Sequence, residues 1–243
     1  MTNSFNKKYL KFKRIIIKLS GESLQGNKDF GIDITELNRI VKEIKIIVDL
    51  GVQVGIVIGG GNIFRGEKLI NIGINKVISD YVGMLSTVIN GLLLCDSMSG
   101  IDLNTYLMSS ICIDQICKKY NFKKALHLLQ KNCVLVFSGG LGNPFFTTDS
   151  AACLRAIEMS ANIVLKGTKV DGLYSKDPMK YPNSKLYKNI TYDEVLQKKF
   201  KVMDLSAFSL ARDYRLPICI FNINKPKALY YIVTGKHEGT FIR

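Results

Sequence analysis

The sequence predicts an α/β protein with a parallel sheet that is covered on both faces. Short, continuous apolar runs at residues 15–19 and 54–58 flank a segment of helical spacing, which makes a β-α-β unit. Fully apolar strands are typical of parallel sheets, because neither face of such a sheet meets water. The length of 243 residues, of which 47% are hydrophobic and 22% charged, suits one large α/β domain or two small ones.

The predicted elements follow in order along the chain. In the first unit, Asp33 and Glu36 resemble a capping pair, apolar residues recur at helical spacing over residues 37–48, and Gly51 is a natural stop. Residues 74–132 are mostly helical in pattern. The remaining elements are strand 134–137, helix 150–159, strand 163–166, a polar excursion at 176–188, a helix after the Thr191–Glu194 capping box, helix 205–214, strand 218–221, and a last helix between the cap Asn224-Lys225-Pro226 and Gly235.

Neither internal repeats nor a long linker divide the chain, so residues 13–243 are predicted as a single domain after a polar N-terminal tail, residues 1–12. No apolar run has the length of a membrane span, and the tail lacks the apolar core of a signal peptide. We therefore expect a cytoplasmic protein without a membrane partner. The six cysteines form no CxxC pair and the two histidines have no ligand-like spacing, which argues against a structural zinc site and against His-based catalysis.

The net charge of +14 invites an interpretation as a nucleic-acid-binding protein. The basic residues are scattered, however, in pairs such as Lys118-Lys119 and Lys198-Lys199, and the chain is rich in Lys, Asn and Ile together. That combination is typical of a genome biased towards A and T codons, so we expect no nucleic-acid partner. A basic surface would still attract phosphorylated substrates.

Four glycine-bearing turns each follow a predicted strand. They are Lys18-Leu19-Ser20-Gly21, Gly59-Gly60-Gly61-Asn62, Gly139-Gly140-Leu141-Gly142 and Lys166-Gly167-Thr168. In an open parallel sheet the carboxyl ends of the strands lie along one edge, where ligands bind. Several such turns indicate a ligand with several phosphates, or two phosphorylated ligands.

The third turn leads into a run that ends in a predicted helix, Gly142-Asn143-Pro144-Phe145-Phe146-Thr147-Thr148-Asp149-Ser150-Ala151-Ala152. A strand, a glycine loop and a helix N-terminus in this order make an anion site, because free N–H groups and the positive end of the helix meet there. Thr147 and Thr148 add hydroxyl donors, and Asp149 adds a carboxylate suited to hold Mg²⁺ through water. The alternative is a tight turn with an Asp or Ser helix cap.

Four charged residues outside this run complete the candidate site. Lys18 and Lys166 interrupt apolar strand ends, where a lysine requires an anionic partner, and two such cations suit the charge of a moving phosphoryl group. Arg65 suits bidentate contact with phosphate, and Asp80 suits ribose hydroxyls. Simpler alternatives remain open: a solvated strand end for Lys166, a surface ion pair for Arg65 and a helix-surface position for Asp80.

Familiar nucleotide and hydrolase motifs are absent. The chain has no Gx₄GK[ST] loop, no GxGxxG fingerprint, no HRD or DFG set and no GxSxG elbow. Phosphoryl transfer by positioning, without a covalent nucleophile, is the chemistry that these residues favour.

In five segments the sequence resembles the bacterial uridylate (UMP) kinases of the amino-acid kinase superfamily. These segments are Lys18-Leu19-Ser20-Gly21-Glu22 and residues 57–66, 142–152, 166–172 and 202–207, and the similarity runs from about Lys13 to the C-terminus. The resemblance implies a three-layer α/β/α sandwich with a central, mostly parallel sheet, the carbamate kinase-like fold, assembled as a homohexamer. It also implies transfer of the γ-phosphoryl group of ATP to UMP with Mg²⁺, which gives UDP in pyrimidine nucleotide biosynthesis.

Carried onto this chain, the resemblance assigns three groups of site residues. ATP would contact Lys18, Leu19, Ser20, Gly21, Gly61, Arg65, Thr168, Tyr174 and Asp177. UMP would contact Gly60, Asp80, Leu141, Gly142, Asn143, Pro144, Phe145, Phe146, Thr147 and Thr148. The catalytic set would be Lys18, Arg65, Asp149, Asp204 and Lys166, with Asp149 and Asp204 as the acidic candidates for organising the metal or the lysines.

The chain departs from the family pattern in two places. Leu141 occupies a position where the family often has a hydroxyl residue, so its contact with a ligand would be through the backbone alone. The family commonly has an allosteric GTP site of basic and aromatic side chains, and the matching positions here are Cys95, Ser99, Tyr106 and Cys133. We therefore expect weak activation by GTP, or none.

Two other functions remain open. Another amino-acid-kinase relative would phosphorylate a carboxylate, a carbamate or an isoprenoid phosphate, although the residues from Asn143 to Asp149 argue against it. A non-catalytic relative would bind nucleotide and store oxoanions, although an enzyme is favoured by the charged residues Lys18, Arg65, Asp149 and Lys166.

Overall fold

The structure is a computed structural model that describes residues 10–200 and 202–243, apart from the side chains of Glu67 and Lys68. Most of the predicted tail, residues 1–9, lies outside the described residues. In the described part, nine strands form one sheet. They are β1 (Arg14–Leu19), β2 (Gln53–Ile58), β3 (Thr105–Ser109), β4 (Lys118–Lys119), β5 (Val134–Ser138), β6 (Ile163–Thr168), β7 (Asn189–Ile190), β8 (Ile218–Asn222) and β9 (Thr240–Ile242).

Helices alternate with these strands, and local sequence signals explain several of their ends. They are α1 (Ile34–Asp49), α2 (Gly66–Asn71), α3 (Lys76–Ser99), α4 (Phe122–Gln130), α5 (Thr148–Glu158), α6 (Tyr192–Gln197), α7 (Leu205–Asp213) and α8 (Ala228–Val233). The Asp33 carboxylate accepts two backbone N–H groups at the start of α1, and Gly51 follows its end with φ +90°. Thr191 and Glu194 form the predicted capping box of α6.

The strand order is β4-β3-β5-β2-β1-β6-β8-β9-β7. Neighbouring strands pair in parallel, except for β8 and β9, which are antiparallel. The prediction of a mostly parallel sheet is therefore confirmed. The strands β5, β2, β1 and β6, whose apolar runs were recognisable in the sequence, stand together at its centre.

Two buried clusters lie on opposite faces of the sheet. Ile15, Ile17 and Leu19 of β1 belong to one cluster and Ile16 belongs to the other, because successive side chains of a strand alternate in direction. The first cluster includes apolar residues of α1, α3 and α8, and the second includes those of α4, α5, α6 and α7. Helices thus cover both faces, as expected for a three-layer α/β/α sandwich. Each fully buried isoleucine contributes about 1.5–3 kcal/mol to this core.

The prediction that residues 74–132 are mostly helical is wrong in its second half. After α3 ends at Ser99, the strands β3 and β4 precede α4. Only the last two residues of β3 are buried, so it lacks the continuous apolar run that marks the central strands. The strands β4, β7 and β9 are too short to carry a periodic signal, and the sequence does not predict them.

The last helix begins later than predicted. Lys227 precedes it in a left-handed conformation with φ +62°, and its N–H donates to the Glu43 carboxylate of α1 at 3.0 Å. The proposed cap Asn224-Lys225-Pro226 therefore belongs to the preceding turn. Gly235, with φ +86°, ends the helix region as predicted.

The helix α3 is long and apolar enough to cross a membrane by length and composition, contrary to the expectation from the sequence. The core helix of a globular domain meets the same criterion, so the criterion alone does not identify a span. Leu94 and Met98 of this helix are fully buried in the cluster on one face of the sheet. The helix therefore contributes to the core of the domain.

A pair of buried asparagines joins α3 to the turn after β2. The Asn62 amide donates to the side-chain oxygen of Asn90 at 3.0 Å, and the Asn90 amide donates back at 2.7 Å. Asn62 also donates to the carbonyl of Gly31 at 2.9 Å, and Asn90 donates to that of Gly59 at 2.8 Å. Buried amides without partners are costly, so this exchange fixes the turn on the helix.

We expect Asn90→Ala to lower the free energy of unfolding by about 1–3 kcal/mol, because the Asn62 amide and the Gly59 carbonyl lose buried partners. Lys42→Ala, at an exposed position of α1, is the control and should change that free energy by less than about 0.5 kcal/mol. The chain has no tryptophan, so the measurement is far-UV circular dichroism in urea at fixed protein concentration. Equal stabilities of the two variants would contradict the role of the asparagine pair.

Candidate active site

The carboxyl ends of four adjacent strands meet at one edge of the sheet, as predicted. The strands β5, β2, β1 and β6 are neighbours in that order, and the first three lead into glycine-bearing turns. The prediction of a fourth turn is wrong, because Lys166-Gly167-Thr168 forms the last three residues of β6 and pairs with β8. The N–H of Gly59 donates to the carbonyl of Leu19 at 2.8 Å. A Cβ atom added to Gly21 would lie 2.8 Å from the backbone nitrogen of Gly61. Only glycine fits at this position, so the first two turns are packed directly against each other.

Lys18 and Lys166 stand side by side at this edge. They are register partners on β1 and β6, and both lie on the sheet face that α5 covers. Asp149, in the first turn of α5, lies between them. The Lys18 Nζ is 3.0 Å from Oδ1 of Asp149, and the Lys166 Nζ is 2.6 Å from Oδ2. The prediction that these lysines require an anionic partner is therefore met by one shared carboxylate.

Burial determines the character of this group. Lys166 is 8% exposed and Asp149 is 7% exposed. Burial lowers the pKa of the Lys166 ammonium, and the charge of Asp149 opposes this shift. Lys166 also donates to the carbonyl of Val202. The alternative of a solvated strand end for Lys166 is therefore wrong.

One oxygen of Asp149 has an ionic partner but no hydrogen-bond donor. Lys18 lies 3.0 Å from Oδ1 outside hydrogen-bond geometry, so this oxygen has the capacity to accept a bond from water. Within residues 10–200 and 202–243 no group of three or more His, Cys, Asp or Glu side chains is arranged to hold a metal ion. Asp149 thus fits a hydrated cation better than a metal ion held directly by several carboxylates.

The helix α5 is capped by Thr147. The threonine hydroxyl accepts the N–H of Asp149 at 3.0 Å, while the Asp149 carboxylate is engaged by the lysines. The alternative of an Asp or Ser cap is therefore wrong. This arrangement leaves the carboxylate free of the helix end and available to the site.

Asp204 joins the starts of α5 and α7. It caps α7 by accepting the N–H of Ala207 at 2.7 Å, and it accepts hydroxyl bonds from Ser150, Ser206 and Thr147. Burial alone would raise the pKa of Asp204, but the hydrogen bonds outweigh it and lower the pKa. Its direct partners are these donors rather than the two lysines. Asp204 therefore positions the loop before α5.

A cavity of about 430 Å³ opens between α3 and this loop. The predicted site residues that line it are Gly60, Gly61, Arg65, Asp80, Phe145, Phe146, Thr147 and Thr148. The sequence did not single out Lys76, Ser79, Gly83, Met84 and Thr87 of α3, which also line it. Together with Asp80 they recur at helical spacing on one face of α3. Once Asp80 is taken as a site residue, this spacing would have identified the others from the sequence.

Asp80 holds the backbone of Phe145. Its Oδ2 accepts the N–H of Phe145 at 2.8 Å, and its Oδ1 contacts Lys76. Phe145 has φ +71°, in a left-handed region that costs a bulky residue about 1–3 kcal/mol. Phe145 and Phe146 are both exposed beside the cavity. A strained, exposed aromatic residue at a cavity is typical of a ligand-binding loop.

Arg65 forms an ion pair with Glu22, with 2.6 Å between Nη2 and Oε1. The alternative of a surface ion pair is thus present, yet both residues line the cavity. The sequence did not predict Glu22 as a partner of Arg65. The ion pair holds the Arg65 guanidinium at the cavity, with Glu22 as its partner.

The remaining predicted residues lie near the same edge without lining this cavity. Leu141, Gly142, Asn143 and Pro144 precede Phe145 in one loop, and the N–H of Gly142 closes a turn on the carbonyl of Gly139 at 2.9 Å. Leu19, the last residue of β1, is buried. In the turn that follows, the Ser20 hydroxyl lies 3.1 Å from the Ser23 hydroxyl.

Three predicted residues lie at the end of β6 or after it, on the other side of β1 from the cavity. The Thr168 hydroxyl donates to the carbonyl of Val170 at 2.7 Å. Tyr174 forms a bridge with Leu186, and the Asp177 carboxylate accepts the N–H of Met179 at 3.0 Å. The structure therefore separates these residues from those predicted to hold UMP.

Comparison with known proteins places this architecture in a family. The model of the amino acid kinase family matches residues 13–222. The uridylate kinase of Buchnera aphidicola subsp. Baizongia pistaciae is 77% identical over 98% of each chain. That of Haemophilus influenzae is 56% identical over 95% of this chain and 98% of its own. The crystal structure of UMP kinase from Bacillus anthracis superposes with a TM-score of 0.93 at 39% identity, over 96% of each chain.

These matches extend over nearly the whole chain and include all four glycine-bearing segments, since residues 13–222 contain them. The resemblance drawn from the sequence motifs is thereby confirmed. The chain belongs to the amino acid kinase family and, within it, to the uridylate kinases.

Proposed function

We infer that this chain is a uridylate kinase, an ATP-dependent nucleoside monophosphate kinase that transfers the γ-phosphoryl group of ATP to UMP and yields UDP. The observation that carries the inference is the pair of lysines held by Asp149 at the edge where three glycine-bearing turns meet. A cavity of about 430 Å³ lies beside it, within the range of about 300–1,000 Å³ that is usual for small-molecule sites. The proposed setting is pyrimidine nucleotide biosynthesis in the cytoplasm.

The proposed reaction requires no general base. The phosphate of a nucleoside monophosphate is already ionised near neutral pH, so its oxygen is a ready nucleophile. Catalysis then consists of positioning and of neutralising the charge on the moving phosphoryl group. Lys18 and Lys166 supply two cations on one face of the sheet, and Asp149 holds both in place.

The cavity beside α3 is the proposed site of UMP. Arg65 supplies a guanidinium for phosphate, and Asp80 supplies carboxylate oxygens for ribose hydroxyls. The exposed rings of Phe145 and Phe146 provide apolar surface for the base. The rest of the loop, Leu141, Gly142, Asn143, Pro144, Thr147 and Thr148, and the turn at Gly60 complete the proposed set.

ATP is proposed to bind on the β6 side of the lysines. Its phosphates would contact Lys18, Ser20 and Gly21 of the first turn, with Leu19, Gly61 and Arg65 adjacent. Its nucleoside would contact Thr168 at the end of β6, and Tyr174 and Asp177 after it. Two substrates on opposite sides of the lysine pair would face each other across the transferred group.

Mg²⁺ is proposed to accompany ATP. This ion keeps several waters and binds mainly through phosphate oxygens, so it does not require a cage of carboxylates. The oxygen Oδ1 of Asp149, which receives no hydrogen bond, is suited to a water molecule of the hydrated ion. When bound, Mg²⁺ supplies further neutralisation of phosphate charge. The hydrogen bonds of Asp204 favour a positioning role for that residue.

The exposed side of α3 supports self-association. Its apolar residues recur at helical spacing and are Ile78, Tyr81, Leu85, Ile89, Leu92 and Leu93. A contiguous apolar face of this kind is typical of a protein contact. We propose that it packs against further copies of the chain, in the homohexamer that the family resemblance implies.

The acceptor is tested by an assay of ADP production with UMP, CMP, glutamate and carbamate. We expect turnover with UMP and little with the other three compounds. Turnover with glutamate or carbamate instead of UMP would favour another amino-acid-kinase activity. Binding of ATP by calorimetry without turnover of any acceptor would favour a non-catalytic nucleotide-binding protein.

Asp149→Asn should lower both kcat and the melting temperature. The neutral amide leaves two buried ammonium groups uncompensated, and breaking a buried ion pair costs about 3–5 kcal/mol. Loss of a helix cap does not explain such a change, because Thr147 caps α5. The double variant Asp149→Asn/Lys166→Met removes one charge of each sign and should regain much of the melting temperature but not kcat. Wild-type kcat in Asp149→Asn would contradict the proposed role of the carboxylate.

We expect GTP to activate this enzyme weakly or not at all. A triphosphate effector requires clustered cations, and each charge-assisted contact contributes about 1.5–3 kcal/mol. At the four positions in question Cys133 is buried and Ser99 contacts Thr105, although Lys124 lies 4.6 Å from the ring centroid of Tyr106. The measurement is a GTP titration at subsaturating ATP. Saturable, several-fold activation that Lys124→Ala abolishes would contradict the expectation and assign the site to this lysine.

A further inference from the structure

A hydrogen-bonded chain outside the predicted site ends on the turn that forms one wall of the cavity. Arg155 of α5 donates from Nη2 to the Ser110 hydroxyl at 3.1 Å, and that hydroxyl donates to the carbonyl of Gly140 at 2.7 Å. Gly140 lines the cavity assigned to UMP, whereas neither Ser110 nor Arg155 is among its lining residues. We propose that Ser110, oriented by Arg155, is a positioning residue that sets the affinity for UMP. The inference rests on the proposed assignment of the cavity to UMP.

The direction of these two hydrogen bonds follows from the donors that Arg155 and Ser110 possess. A guanidinium has no acceptor, so in the contact between Arg155 and Ser110 the hydroxyl oxygen must accept. The single proton of the hydroxyl is then available for the carbonyl of Gly140. Arg155 therefore determines which way the Ser110 hydroxyl points.

Arg155 itself is held by a buried cluster. It is 5% exposed, forms an ion pair with Glu158, and lies 3.6 Å from the ring centroid of Tyr120. The Tyr120 hydroxyl donates to the same Glu158 carboxylate at 2.6 Å. Burial and this hydrogen bond raise the pKa of the Tyr120 phenol, so it remains a donor at neutral pH. A cation fixed on two sides does not swing away from Ser110.

The carbonyl of Gly140 shares a planar peptide unit with the N–H of Leu141. In a trans peptide these two groups point in opposite directions, so holding the carbonyl towards Ser110 aims the N–H away from it. The Leu141 N–H has no hydrogen-bond partner within residues 10–200 and 202–243. Since the Leu141 side chain has no polar atom, this residue can form a hydrogen bond with a ligand only through its backbone. The orientation of that peptide unit then controls the contact.

The hydrogen bond from the Gly142 N–H to the Gly139 carbonyl closes the turn, but it does not engage the peptide unit between Gly140 and Leu141. Gly139, Gly140 and Gly142 all have positive φ, with values of +71°, +54° and +79°. Glycine moves readily between such conformations, so an external contact is needed to select one of them. Ser110 lies directly against the turn, since a Cβ atom added to Gly142 would be 3.1 Å from the carbonyl oxygen of Ser110.

The test compares four variants in steady-state kinetics. Ser110→Ala and Arg155→Met should each raise KM for UMP by about three- to tenfold, the effect of one hydrogen bond, with KM for ATP and kcat within about twofold of wild type. The double variant should match Ser110→Ala, because both changes act through one carbonyl. Tyr120→Phe is the control: it weakens the cluster around Arg155 but keeps the contact with Ser110, so it should lower the melting temperature and leave KM for UMP unchanged.

Calorimetric titration of UMP without ATP gives a second measurement of the affinity. If Arg155→Met fails to fold, Ser110→Ala alone decides the test, because this variant retains every charged group of the buried cluster. An unchanged affinity of Ser110→Ala for UMP would overturn the inference, as would a rise confined to KM for ATP. Asp80→Ala separates the two levels of failure. If Asp80→Ala weakens UMP binding and Ser110→Ala does not, the positioning role is wrong and the cavity assignment stands; if neither variant affects UMP, both are wrong.

Discussion

The site depends on one carboxylate that lies between two lysines on neighbouring strands. The register of β1 and β6 places Lys18 and Lys166 side by side on the same face of the sheet. Two ammonium groups that contact the same carboxylate lie close enough to repel each other strongly when they are withdrawn from water. Asp149 removes this penalty, and Thr147 and Asp204 fix the start of the helix that carries it. The sheet, the helix start and the charges are therefore parts of a single constraint.

The sequence predicts the centre of this fold and much of its site for a definite physical reason. Strands buried on both faces appear as unbroken apolar runs, and a turn after them requires glycine where two backbones touch, as at Gly21, where a Cβ atom would lie 2.8 Å from the backbone nitrogen of Gly61. The strands β3, β4, β7 and β9 escape prediction because they are half-buried or very short. Their position follows from pairing with neighbours, which no local pattern records.

The same limit applies to the site. The residue types at positions 18, 149 and 166 indicate their chemistry. Whether Asp149 organises the two lysines, however, is known only from the distances between its oxygens and their Nζ atoms. The roles of Glu22 and Asp204 likewise depend on partners distant in sequence, Arg65 and the threonine at position 147. Arg155 has no signal in the sequence at all, because a buried arginine in a helix is indistinguishable from an exposed one until the tertiary contacts are known.

The helix α3 connects three regions that the sequence treats separately. One side carries Asn90, which holds the turn after β2, together with Gly83 and Thr87, which line the cavity and recur with it at helical spacing. The helix packs tightly against the turn, since a Cβ atom added to Gly60 would lie 2.6 Å from the Cβ of Ser86. The opposite side presents the apolar face proposed for self-association. The proposed contact with further copies of the chain and the proposed UMP cavity therefore lie on opposite sides of one helix. Since a close-packed helix has little room to adjust internally, a shift imposed at one of these surfaces would be carried to the other without a chain of specific side-chain contacts.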